Sequence, residues 1–101
     1  MSYPLVKRVP HRMLGELLRM MLNETIFFDL TLEEGRTLSR AFTALAHDWR
    51  RNDLVYLSPV ASDDEFSAKV TPDGLDVEAS DGSFFLDWDE VTELAERLAA
   101  E

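Results

Sequence analysis

The residues of this 101-residue chain best placed to do chemistry are two acidic clusters, Asp63-Asp64-Glu65 and Asp87-Trp88-Asp89-Glu90. Each could offer oxygen ligands to Mg²⁺ or Ca²⁺. Calcium loops, however, set their ligands at fixed intervals around a glycine that permits a sharp turn, and neither cluster has that spacing. The second is accounted for by carboxylates favouring a helix N-terminus. His11 and His47 are the only histidines, and there is no cysteine. A zinc site would therefore need both histidines and a carboxylate drawn from separate elements. Ser39, His47 and an aspartate make a nucleophilic triad only on paper, because no Gly-x-Ser-x-Gly elbow frames the serine. Gly15, Gly35, Gly74 and Gly82 never cluster, so no loop is built to cradle a phosphate. The expectation is a protein that is not an enzyme, with no catalytic residue, no cofactor and no metal.

Charge is more informative than any motif. Residues 1–52 hold eight Lys/Arg against six Asp/Glu, whereas residues 53–101 hold only Lys69 and Arg97 against fourteen acids. The first half is nearly neutral at +2 and the second carries −12, more than the whole net charge of −10. A phosphate backbone would be repelled, so direct nucleic-acid binding is not expected. A basic protein partner would be attracted. Lys7 and Arg8 precede an apolar stretch in the manner of a signal peptide, but Glu16 and Arg19 interrupt it. No apolar run approaches the ~18 residues of a membrane span. The expectation is a cytoplasmic protein with no membrane association.

Three helices and a sheet are expected to position these groups. Leu14, Leu17, Leu18 and Met21 recur at helical spacing after Pro10, which predicts a first helix from about Pro10 to Leu22. Met13 and Met20 widen its apolar arc beyond what one packing surface needs. Thr25–Leu30 reads as a short strand. Thr31 and Glu34 then form a capping box, opening a helix that runs to about Arg51 with Leu38, Phe42, Leu45 and Trp49 on one stripe. Gly35, in its second turn, weakens this helix by about 1 kcal/mol relative to alanine, and a close neighbour is the simplest physical reason for it.

Beyond Asn52 the period falls to two. Leu54–Leu57 is a strand, and Phe66, Ala68 and Val70 alternate with polar residues in a second. Thr71-Pro72-Asp73-Gly74 turns the chain into Leu75–Ala79, and Asp81-Gly82 turns it again into Ser83–Leu86. Asp87 and Glu90 cap a C-terminal helix whose stripe is Trp88, Val91, Leu94, Ala95 and Leu98. Residues 28–34 echo residues 84–90 at an offset of 56, although any strand entering a capped amphipathic helix would look similar.

The reading is one α+β domain over residues 1–101. It has an antiparallel meander of three or four strands, two N-terminal helices and a C-terminal helix packed on one face. The expected function is non-enzymatic protein–protein interaction: an acidic surface of Asp76, Glu78, Asp89, Glu93 and Glu96 presented to a basic partner. Inhibitors, immunity proteins and DNA mimics work this way. The alternative is a small structural domain that forms a homodimer through Met13, Leu17, Met20 and Met21 of the first helix.

Overall fold

The computed structural model describes residues 3–79 and 82–100. It contains two antiparallel sheets and two helices. Three strands, β1 (Leu5–His11), β2 (Gly15–Met21) and β3 (Phe27–Leu30), form the first sheet in the order β1-β2-β3. Helix α1 (Leu32–His47) follows, and a 3-10 turn (Trp49–Arg51) leads to the second sheet. That sheet is a meander of β4 (Leu54–Leu57), β5 (Phe66–Thr71), β6 (Gly74–Ala79) and β7 (Gly82–Asp87), in the order β4-β5-β6-β7. Helix α2 (Trp88–Ala100) ends the described chain.

The four-stranded meander and the two capped helices stand where the sequence places them, with the long helix ending at His47 before the separate 3-10 turn. The first helix does not exist. Residues 10–22, predicted to be helical, are instead the arms of the β1–β2 hairpin. The hairpin turn has two local supports. Gly15 takes a φ of +81°, and His11 Nδ1 accepts the N–H groups of Met13 and Leu14 at 3.1 and 3.0 Å. Pro10 lies in β1, an edge strand, which is where a sheet tolerates a residue without an N–H. Leu17 and Leu18 are both buried although they point to opposite faces of β2. That double burial erases the alternation a strand usually shows and leaves a pattern that also fits a helix. Of the second hairpin signal, Ser80 and Asp81 lie outside the described residues.

Both sheets and both helices feed one apolar core. Phe66 of β5 is its junction: its ring meets Phe28 of β3 edge-on at 5.2 Å and Phe42 of α1 at 5.9 Å. Helix α1 opens with the predicted reciprocal capping box, Thr31 Oγ1 accepting from Glu34 N and Glu34 Oε1 from Thr31 N. Asp87 and Glu90 exchange the same two bonds at the start of α2. Trp88 Nε1 donates to the Pro72 carbonyl at 3.0 Å, tying that helix start to the β5–β6 turn. Gly35 has the close neighbour its position demanded, since a Cβ there would stand 2.7 Å from Leu18 Cδ1. The order β1-β2-β3-α1 recurs as β5-β6-β7-α2, with β4 as the additional strand.

Candidate functional site

The inner face of the second sheet is apolar because Leu75 and Val77 of β6 point into the core. Their neighbours Asp76 and Glu78 therefore point outward. Across that outer face Leu54, Lys69, Asp76 and Phe85 stand in one row, and Tyr56, Ser67, Glu78 and Ser83 in the next. Asp89, Glu93 and Glu96 are exposed on α2, which packs on the opposite, core-facing side of this sheet. Glu93 is held by Arg97 at 2.7 Å. The five acids anticipated as one surface thus occupy two.

A different set of acids does converge. The loop after β4 is fastened to the β3–α1 junction at two points. Ser62 Oγ accepts the Asp29 N–H at 2.7 Å and donates to the Asp29 carbonyl at 3.1 Å, and Glu34 Oε2 accepts the Val60 N–H at 3.2 Å. These bonds fix Asp63, Asp64 and Glu65 beside the ends of β5 and β6. There they border an open groove of about 410 Å³, with Glu78 on one wall and Ile26 and Phe27 on the other. No Lys or Arg lines this groove.

Aromatic groups flank it. Phe27 is 43% exposed, and the Arg19 guanidinium lies 4.4 Å from its ring centroid. Arg19 is also held by Asp29 through two hydrogen bonds of 2.8 and 3.1 Å, which raise its pKa. Arg19 is thereby engaged with β3. Tyr56 lies on the outer face of β4, and a hydrogen bond to the Glu65 carboxylate pushes its phenol above the usual tyrosine pKa. The negative charge of Glu65 acts in the same direction.

The other residues singled out from the sequence have structural positions. Ser39 is buried and its hydroxyl donates a hydrogen bond to the Ala95 carbonyl. His11 serves the hairpin turn, and His47 is exposed at the end of α1. Among the described residues, no three His, Cys, Asp or Glu side chains are placed to hold a metal ion. The proposed self-association surface is corrected with the helix that carried it. Leu17 and Met20 are buried, Met21 is half-buried, and only Met13, at the hairpin tip, is fully exposed.

The run Asp63-Asp64-Glu65 was conspicuous in the sequence. That Glu78 and Phe27 border the same groove was not, because those residues are far apart in the chain and meet only when the two sheets share a core. Among the described residues, no helix is long and apolar enough to cross a membrane. No protein-family model, no curated protein and no solved structure matches this chain.

Proposed function

We propose that this chain is a non-enzymatic protein-binding domain that receives a lysine- or arginine-rich segment of a partner in the groove bordered by Asp63, Asp64, Glu65 and Glu78. The observation that carries the reading is the gathering of four carboxylates around one concavity that no cation lines. A cationic segment is attracted to carboxylates that have no basic neighbour lining the groove. Tyr56, beside Glu65, adds an exposed aromatic face on which guanidinium or ammonium groups stack favourably, while Phe27 already carries the Arg19 guanidinium on one face. An inhibitor, immunity-type or DNA-mimic-like role fits such a surface. Glu78 is the one residue shared with the acidic surface anticipated from the sequence. The groove lies on a domain whose acidic half has few cations of its own, so the long-range field steers the same class of partner toward it.

Isothermal titration with an arginine-rich peptide tests the reading. Binding should weaken about tenfold or more between 50 and 500 mM salt, since exposed charge contacts are screened over that range. The triple variant Asp63→Asn, Asp64→Asn, Glu78→Gln should weaken it similarly at low salt. A control that neutralises Asp89, Glu93 and Glu96 should have a smaller effect. Equal losses from the two triple variants would mean that net charge alone attracts the peptide and would remove the groove from the argument.

A further inference from the structure

A second groove lies on the other side of the molecule's charge pattern, along the free edge of the four-stranded sheet. β4 is an outer strand of that sheet. Val70 N donates to the Asp53 carbonyl at 2.9 Å, so Asp53 and, by the alternation of an antiparallel ladder, Val55 and Leu57 turn their backbone groups toward β5. Leu54 and Tyr56 therefore turn theirs outward, where none of the described residues bonds to them. Their side chains are 51% and 54% exposed.

Both edges of the three-stranded sheet are protected. β1 carries Pro10 and the charges of Lys7 and Arg8, and the Asp29 backbone of β3 is capped by Ser62. β4 reads Leu-Val-Tyr-Leu, with no proline, no charge and no covering side chain, which is the form of edge that templates a further strand. Beside it runs a groove of about 260 Å³ walled by Ala41, Ala44 and Leu45 of α1. The small alanines leave room for an incoming chain between helix and strand.

The only charged residue lining this groove is Arg51, at the end where β4 begins. Of the two acids nearest in sequence, Asp53 makes no ion pair among the described residues, and Asp48 is hydrogen-bonded to Arg50 at 3.2 Å and feels Arg51 only through space. Among the described residues the Arg51 guanidinium has no ion pair. A strand added antiparallel to β4, as every neighbour in this sheet is added, would place its C-terminal end beside Arg51.

We infer that the groove between α1 and the β4 edge binds the C-terminal segment of a partner protein as an added antiparallel strand, its terminal carboxylate paired with Arg51. Leu54 and Tyr56 would supply up to four main-chain hydrogen bonds, and the Ala41–Ala44 wall would select small apolar side chains. A second copy of this chain is a poorer occupant, because two molecules of charge −10 repel one another. This inference shares only Tyr56 with the acidic groove and concerns an occupant of opposite charge.

Selection of a C-terminally displayed random heptapeptide library on the full chain provides the test, followed by fluorescence anisotropy of the enriched peptides. The expected result is enrichment of extended apolar sequences that lose at least tenfold in affinity when the terminal carboxylate is amidated. The same loss should follow from Arg51→Ala. Leu54→Pro, which removes an outward N–H at an edge position where proline is tolerated, should abolish binding. If Leu54→Pro fails to fold by circular dichroism, peptides N-methylated at alternate residues probe the same bonds in the unaltered protein. Failure to enrich any sequence over an unrelated protein, equal binding of acid and amide forms, or a dimer in light scattering that Leu54→Pro dissolves would overturn the inference.

Discussion

The Ser39 hydroxyl donates a 2.7 Å hydrogen bond to the Ala95 carbonyl, and the two residues are 56 positions apart. The same separation relates Thr31 to Asp87 and Glu34 to Glu90, the partners of the two capping boxes. Equivalent positions of two units touch where a two-fold relation between those units would place its axis. The strand-to-helix units of this chain meet in that way, through Ser39, the one buried polar side chain among the described residues. Ser39→Ala should lower stability by about 1 kcal/mol, the net value of one buried hydrogen bond. Ser39→Leu should lower it further, by about 1–3 kcal/mol, because the site is closed and an added side chain must be forced in. Urea denaturation read by tryptophan fluorescence measures both.

The two capping boxes should behave alike. Thr31→Ala and Asp87→Ala each remove an acceptor for a first-turn N–H and should each cost about 1 kcal/mol. Because the caps open different helices and share no partner, the double variant should lose the sum of the two within about 0.5 kcal/mol. Chemical denaturation of the four proteins in the cycle checks this.

Two glycines should respond differently to alanine. At Gly35 the new methyl meets the end of the Leu18 side chain, which can shift, and about 1 kcal/mol of helix propensity is gained in return. The net change should be small, and it should become stabilising in a Leu18→Ala background where the space is open. At Gly74 the methyl would run into the Leu86 carbonyl and the Asp87 backbone, with φ at +155°. No side-chain motion relieves that clash, so Gly74→Ala should cost more than about 2 kcal/mol. Thermal unfolding of Gly35→Ala, Leu18→Ala, their double variant and Gly74→Ala separates these outcomes.

Tyr56 reports on the acidic groove. Its phenol is held protonated by the Glu65 carboxylate, so in a Tyr3→Phe background the tyrosinate absorbance should rise at higher pH than for free tyrosine. Glu65→Gln should bring that titration down toward the ordinary value. The sign for stability follows from a folded-state pKa that is raised. The contribution of this contact is complete below the unfolded tyrosine pKa and is lost as pH rises through the folded one. A titration that Glu65→Gln leaves unchanged would separate Tyr56 from the groove.

The sequence by itself determined the type of both α-helices and of the four meander strands from Thr31 onward, because local signals there agree, but it ran the first of these helices through the 3-10 turn at Trp49–Arg51. Thr31 with Glu34 and Asp87 with Glu90 start helices through bonds made within four residues. Phe66, Ala68, Leu75 and Val77 alternate with polar residues because only one face of their sheet is covered. It also determined the charge imbalance and the conspicuous run Asp63-Asp64-Glu65.

Tertiary structure decided the rest. Leu17 and Leu18 are adjacent and both buried, so their spacing fits a helix as well as a strand, and pairing of β2 with both β1 and β3 settles the matter. Those pairings are non-local: they form only when segments distant in the chain align, and no short window of sequence contains them. The same holds for the site. Asp76 and Glu78 on one side and Glu93 and Glu96 on the other are separated by the core itself, while Glu78 joins Asp63–Glu65 because Ser62 bonds to Asp29. Local chemistry chose the elements from Thr31 onward. Which charges share a surface was chosen by the way two sheets close over Phe66.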